Sequence, residues 1–300
     1  MKGRLVPYPK WLKITSRGLG LRSWLLCYLL FLISSLGASG EAAEARSVTV
    51  EPDHYVDPSS TTTGETDVQD NPPYTPLSLY LEARDGYLLH VTRYRPSGEI
   101  TGAVILIHDW SMAGLSCWGL LPDSLAEAGF DVLIPDLRQH GLSGASSISA
   151  PLGLHPTKSE MAVLASDALI WLDLIDDSVE LISVMCVGRL GELAELLAQR
   201  DSRVKDLVWI SPAREAGDPL WSIPHSDQVR FLFVSSGEDP GSAALAGDLF
   251  INFNATAELR LFNRGVGGCP LIQSERFRGG LVSWITLARC GLEKRTGRVE

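Results

Sequence analysis

The stretch VELISVMCVGRLGELAELLAQR, from Val179 to Arg200, decides the fold. Its first part, Val179–Val187, is short, apolar and rich in β-branched residues, which predicts a strand buried on both faces of a parallel sheet. Apolar residues then recur at the i, i+3, i+4 and i+7 spacing of an amphipathic helix, at Leu190, Leu193, Ala194 and Leu197. Gly188 and Gly191 lie between these two parts. The stretch therefore predicts a strand, a sharp glycine-bearing turn and a helix inside an α/β domain.

The first 40 residues have the pattern of a secretory signal. Basic residues and no acidic ones precede an apolar run, Trp24–Leu36, which is followed by small residues at 37–40. Because the run is shorter than the roughly 20 apolar residues of a spanning helix, we expect cleavage between Ala38 and Ala45 and a secreted or periplasmic protein. The alternative is an uncleaved signal anchor that attaches the chain to the membrane through residues 24–36, with the domain outside the cytoplasm.

Residues 41–76 are acidic and rich in Ser, Thr and Pro. Such a composition offers too little apolar surface to offset the entropy of ordering, so we predict a disordered linker. Residues 77–290 remain for a single α/β domain, followed by a tail at 291–300. The net charge of −10 and the lack of a Lys/Arg stripe argue against nucleic-acid binding.

Four cysteines follow the signal segment, at Cys117, Cys186, Cys269 and Cys290. They are dispersed and form no C-x-x-C pair, so neither a zinc site nor a redox motif is indicated. An exported chain permits a disulfide, but the spacing does not select the pair. Nothing in the sequence implies a metal or an organic cofactor.

The rest of the domain alternates between predicted strands and helices. Arg84-Asp85-Gly86 separates two alternating runs, Leu77–Ala83 and Tyr87–Tyr94, which is a hairpin pattern. Further strands are predicted at Gly102–Ile107, Phe130–Ile134, Arg203–Ile210, Gln228–Ser235 and Ala257–Phe262. Helices are predicted at Pro122–Ala128, from a capping box at Thr157–Glu160 through Leu172, at Ser242–Leu249 and at Leu281–Leu287.

Two motifs carry a resemblance to a known family. His108-Asp109-Trp110 follows one buried strand, and D-L-R-Q-H-G-L-S, from Asp136 to Ser143, follows the next. They resemble the H-G-x and D-x-R-G-H-G-x-S motifs of the α/β-hydrolase superfamily, in its serine-aminopeptidase and lysophospholipase-like or dienelactone-hydrolase-like branches. The resemblance covers about Leu77 to Ala288. It implies the α/β-hydrolase fold, with a mostly parallel central sheet, helices on both faces and no large cap domain.

The resemblance also implies a catalytic triad in the chain order nucleophile, acid, histidine. If V-G-R-L-G matches the family's G-x-S-x-G, Arg189 stands in the nucleophile position, and its guanidinium stays protonated and cannot attack a carbonyl. Asp239 matches the acid, and Gly267 occupies the histidine position. No histidine follows Asp239, since the six are His54, His90, His108, His140, His155 and His225.

The loop that the family uses as an oxyanion hole corresponds to His108, Asp109 and Trp110. Asp109 replaces a glycine there and brings negative charge to a place where an anion would develop. We interpret His108 and His140 as structural histidines.

Three hypotheses follow. The first is an exported, non-catalytic binding or scaffold protein, a pseudoenzyme, with an unknown small molecule or protein at the former substrate cleft. The second is an active ester or amide hydrolase in which Cys186 is the nucleophile and a displaced base such as His225 assists; Cys186 as an inert buried strand cysteine is the competing interpretation. The third is a membrane-anchored interaction protein.

Overall fold

The computed structural model describes residues 47–51, 74–112, 114–144, 156–214, 229–252, 257–263 and 265–296. The chain separates into two units, residues 1–44 and 45–300, and every described residue belongs to the second. The predicted signal segment, His54, His155 and His225 lie outside the described residues. In the part of the chain that is described, no helix has both the length and the apolar character to cross a membrane.

Within the described residues, nine strands form one sheet in the order β1-β9-β8-β7-β6-β4-β5-β3-β2. The strands are β1 Ser47–Glu51, β2 Tyr74–Glu82, β3 Leu88–Pro96, β4 Gly102–Ile107, β5 Phe130–Pro135, β6 Ile182–Val187, β7 Val204–Ile210, β8 Arg230–Ser236 and β9 Ala257–Phe262. The pairs β2–β3 and β3–β5 are antiparallel, and every other neighbouring pair is parallel. Every residue of β4, β5 and β6 is buried, as expected for parallel strands covered on both faces.

Helices cover both faces of this sheet. They are α1 Gly114–Trp118, α2 Leu121–Glu127, α3 Lys158–Leu172, α4 Gly191–Arg200, α5 Pro240–Asn252, α6 Cys269–Ile272 and α7 Glu275–Thr296, with a 3₁₀ turn at Gly141–Ser143. Residues of α3, α4 and α5 share one buried apolar cluster with the sheet, and residues of α1, α2, α6 and α7 share the other. The predicted fold class is therefore confirmed, and no large cap domain is present among the described residues.

The structure differs from the predicted boundaries at both ends of the domain. Ser47–Glu51 lies in the stretch predicted to be a disordered linker, but it pairs in parallel with β9. Its pattern Ser-Val-Thr-Val-Glu is rich in β-branched residues, which suits an edge strand. Strand β2 begins at Tyr74, before the predicted linker ends. At the other end, α7 continues to Thr296, through much of the predicted tail at 291–300.

The motif from Asp136 to Ser143 holds three chain segments together. The Asp136 carboxylate accepts hydrogen bonds from the backbone N–H groups of Gly114 (3.0 Å) and Leu142 (2.9 Å) and contacts His90 Nδ1 at 2.9 Å. The Ser143 hydroxyl donates to the Asp136 carbonyl (2.8 Å) and accepts from the His90 N–H (2.7 Å). These buried contacts position the loops after β4 and β5, which form one side of the candidate site.

Candidate functional site

The apex of the turn between β6 and α4 is Gly188. It has φ +69°, a left-handed conformation that glycine adopts without steric cost. Its N–H donates to the Ile210 carbonyl (3.0 Å), and its own carbonyl accepts from Trp209 Nε1 (2.6 Å) and the Ala213 N–H (3.2 Å). In the nucleophile elbow, the nucleophile sits at the strained apex of such a turn. The apex here therefore carries no side chain.

Both positions that the sequence motif suggested for the nucleophile need correction. Arg189 lies one residue beyond the apex, and Cys186 lies two residues before it, inside β6. The motif placed the nucleophile at Arg189 because Gly191 was taken as the second glycine of the motif. Gly191 is instead required by packing, since a Cβ there would lie 2.5 Å from the Trp209 ring. That glycine lets the first turn of α4 pack flat on the indole.

Cys186 is a buried strand residue. Its side chain is 1% exposed, and its thiol donates to the Val208 carbonyl across 3.7 Å. A narrow apolar cavity reaches it between α4 and β8, lined by Trp209, Phe231 and Phe233 among others. Burial raises the pKa of the Cys186 thiol far above its ordinary value. Because the thiolate is the reactive form, this environment is that of an inert cysteine.

Asp109 occupies the space in front of the apex. Its Oδ1 accepts hydrogen bonds from the Ser111 N–H (2.8 Å) and the Ser111 hydroxyl (2.6 Å). Its Oδ2 faces the turn, such that a Cβ added at Gly188 would lie only 2.5 Å away. A carboxylate therefore lies directly against the turn, where its negative charge would oppose a developing anion.

The predicted acid and histidine positions lie side by side. A Cβ added at Gly267 would lie 2.8 Å from Asp239 Oδ2 and 3.0 Å from Ser211 Oγ. The other carboxylate oxygen of Asp239 accepts from the Ser242 N–H (3.1 Å), so Asp239 caps the first turn of α5. Ser211, a residue that the sequence motifs did not single out, has φ +48° and accepts from the Gly268 N–H (2.6 Å). Position 267, where the family's histidine would stand, therefore offers Asp239 no side chain.

His108, Trp110 and His140 form a buried cluster beside Asp109. His108 Nε2 accepts from the Leu137 N–H (3.1 Å), and its Nδ1 donates to the Asp109 carbonyl (2.7 Å). His140 Nε2 contacts the Trp110 carbonyl at 2.6 Å, and the Trp110 and His140 ring centroids are 4.7 Å apart. Both histidine rings thus form hydrogen bonds with backbone groups.

The buried His108 is expected to make stability depend on pH. Burial lowers its pKa from 6.5 to about 4, so the unfolded chain binds a proton that the folded chain does not. The contribution of His108 to stability is present above pH 6.5 and is lost as the pH falls toward 4, by at most about 3 kcal/mol. Urea unfolding of the wild type and of His108→Gln between pH 7 and pH 4 tests this. The wild type should lose more stability than the variant over that range, and equal slopes would contradict the expectation.

A disulfide joins the two loop regions that border the site. Cys117 in α1 is bonded to Cys269 in α6, with 4.8 Å between the Cα atoms. The half-cystines are 152 residues apart in sequence, which explains why spacing could not select the pair. Cys117 follows the loop that contains Asp109, and Cys269 follows Gly267 and Gly268 directly. The crosslink therefore fixes both loops around the apex of the elbow.

The described residues contain no cluster of three or more His, Cys, Asp or Glu side chains suited to a metal ion.

Comparisons with known proteins place the fold. No protein-family model matches the chain, and no curated protein is detectably similar to it in sequence. Among solved structures, it is similar to dienelactone hydrolase from Anabaena variabilis, with 16% identity, a TM-score of 0.51, and 72% of this chain and 96% of that chain covered. It is also similar to an esterase from Exiguobacterium antarcticum (17% identity, TM-score 0.52, 70% and 100% covered) and to an esterase from Pyrobaculum calidifontis (17% identity, TM-score 0.53, 73% and 85% covered).

The strand order and the turn at Gly188 are consistent with the fold of these similar structures. The fold of this chain is that of the α/β-hydrolase superfamily.

Proposed function

We propose that this chain is an exported, non-catalytic member of the α/β-hydrolase fold that binds a small molecule or a protein at the former substrate cleft. The observation that carries the proposal is the apex of the elbow, where Gly188 has no side chain and the Asp109 carboxylate stands directly in front of it. A nucleophile, a base and oxyanion donors are all required for acyl transfer on this fold.

The requirement for a base supports the same proposal. Gly267 supplies no base beside Asp239, and the whole sequence contains no histidine after that acid. In a serine hydrolase, removal of any one triad member leaves only residual catalysis. Here the nucleophile and the histidine are both replaced, while the contacts that maintain the fold are kept. Binding at the former substrate cleft is the function that we propose for such a protein.

Export is supported by two independent features. The basic and apolar pattern of the first 40 residues is that of a signal segment. The Cys117–Cys269 disulfide is a bond that persists in oxidising compartments. Residues 24–36 are either removed or retained as an anchor, and N-terminal sequencing of the chain recovered from cells distinguishes these two outcomes.

The proposal predicts no hydrolysis above background. The full chain, expressed for export, is assayed with p-nitrophenyl esters of two to eight carbons alongside Cys186→Ala and Arg189→Ala. All three proteins should give the rate of buffer alone, because none presents an activated nucleophile at the apex. Turnover in the wild type that disappears only in Cys186→Ala would overturn the proposal and assign a thiol hydrolase.

A further inference from the structure

We infer that Asp109 and Gly188 form one blocked position: the Asp109 carboxylate fills the volume of a nucleophile side chain and closes a site whose backbone geometry for acyl transfer is still in place. The inference rests on the proposed function, because it explains how the site is inactive, and it adds a claim about which contact keeps the site closed.

The contact between Asp109 and Gly188 leaves no room for a side chain. A Cβ at Gly188 would lie 2.5 Å from Asp109 Oδ2 and 3.5 Å from its Cγ. An oxygen and a carbon cannot approach so closely without repulsion, so one of them would have to move. The carboxylate is restrained, because its other oxygen accepts two hydrogen bonds from Ser111. The block therefore comes from an anchored group and not from a side chain that swings freely.

The turn itself keeps the shape that a nucleophile needs. Gly188 has φ +69°, and its N–H and carbonyl are held by Ile210, Trp209 and Ala213. These are contacts to the backbone of residue 188, so they do not depend on which side chain stands there. A serine introduced at 188 would inherit the strained apex of a nucleophile elbow.

The histidine position is also preserved in its backbone. Gly267 is not among the residues with positive φ, so an L-amino acid fits its conformation. Its Cβ would point at Asp239 Oδ2, 2.8 Å away. The Ser211 hydroxyl oxygen would lie 3.0 Å from the same Cβ, so a histidine at 267 requires both the Asp239 side chain and the Ser211 hydroxyl to shift. The acid and the base position are thus adjacent, as a triad requires.

A double-mutant cycle tests the contact without any need for activity. Gly188→Ala is made in the wild type and in Asp109→Ala, and the urea midpoint of each protein is measured. Gly86→Ala is the matched control, since Gly86 has φ +80° but its Cβ would meet no atom closer than 4.0 Å. Gly188→Ala should lower the midpoint at least twice as far when Asp109 is present. Gly86→Ala should lower it equally in both backgrounds. Equal shifts for Gly188→Ala would overturn the inference.

A second experiment tests the latent geometry. The variant Asp109→Gly/Gly188→Ser/Gly267→His is treated with a fluorophosphonate. The introduced serine oxygen forms a bond to phosphorus, fluoride leaves, and the introduced histidine accepts the hydroxyl proton. We expect the triple variant to be labelled at least tenfold faster than the wild type. It should also be labelled at least tenfold faster than the double variant Gly188→Ser/Gly267→His, which keeps Asp109. Arg189→Ser in place of Gly188→Ser should give no labelling, because residue 189 lies beyond the apex.

The outcomes separate the two claims. A folded triple variant that is labelled no faster than the wild type overturns the inference, as does rapid labelling of the double variant that keeps Asp109. Labelling of the wild type itself would overturn the proposed function, and it would do so whatever the variants show. Circular dichroism of each variant establishes that it is folded before it is labelled.

Discussion

Replacement of Arg138 by alanine is expected to lower the free energy of unfolding by about 3–5 kcal/mol, the cost of leaving a buried charge without its partner. Arg138 donates to both carboxylate oxygens of Asp167 in α3 (2.6 and 2.9 Å) and to both of Asp85 in the β2–β3 turn (2.8 and 2.8 Å). Its guanidinium carbon lies 4.5 Å from the centroid of the Tyr87 ring. Hydrogen bonding to Asp167 raises the pKa of Arg138 well above its ordinary value.

The two carboxylates differ in burial, and this difference provides the control. The Asp167 side chain is 2% exposed, whereas that of Asp85 is 58% exposed. Asp85→Ala should therefore lower the free energy of unfolding much less than Arg138→Ala does, since an exposed ion pair is screened by water. Replacing both buried partners, as Arg138→Leu/Asp167→Leu, should recover part of the loss. Urea unfolding followed by tryptophan fluorescence measures all four proteins. A loss in Arg138→Ala no larger than that in Asp85→Ala would contradict the expectation.

Removal of the disulfide is the second change with a large expected effect. Cys117→Ser/Cys269→Ser should lower the free energy of unfolding by about 2–5 kcal/mol, because the bond closes a very long loop in the unfolded chain. The wild type unfolded in the presence of dithiothreitol should show the same loss. Equilibrium unfolding in urea measures the stability, and the mobility of the protein on reducing and non-reducing gels reports the bond.

The matched control for this change is Cys186→Ala, which alters a buried cysteine but leaves the crosslink intact. Cys186→Ala should lower the free energy of unfolding by less than Cys117→Ser/Cys269→Ser does. Dithiothreitol should then lower the stability of Cys186→Ala by the same amount as that of the wild type. A stability of Cys117→Ser/Cys269→Ser equal to that of the oxidised wild type would show that the bond does not hold the folded state.

Secondary-structure elements were predicted correctly where neighbouring residues alone determine them. Strand β9 has the predicted bounds Ala257–Phe262, and the capping box at Thr157 and Glu160 begins α3 as expected. The hairpin around Gly86 is also present, with φ +80° at that glycine. Each of these depends on neighbouring residues only, namely apolar alternation, side-chain capping and turn chemistry.

The candidate site could be predicted only in part, because its geometry depends on residues far apart in sequence. The proximity of Asp239 and Gly267 followed from the family order, but the register of the elbow did not. Two glycines, Gly188 and Gly191, fit the motif, and the structure distinguishes them: Gly188 has a positive φ, whereas Gly191 packs on Trp209. The disulfide pair and β1 were likewise missed, since both form through contacts that cross most of the chain.

The parallel pairing of β1 with β9 has a consequence for how this domain should be cut from the chain. A strand at the edge of a sheet carries a row of unpaired N–H and C=O groups, which is a template for association with other copies. In the part of the chain described here, Ser47–Glu51 covers that row along β9. A fragment that starts at the hairpin, near Tyr74, would expose it and invite aggregation. A fragment that keeps β9 paired therefore begins upstream of Ser47, and the five-residue strand β1 then forms that edge of the sheet.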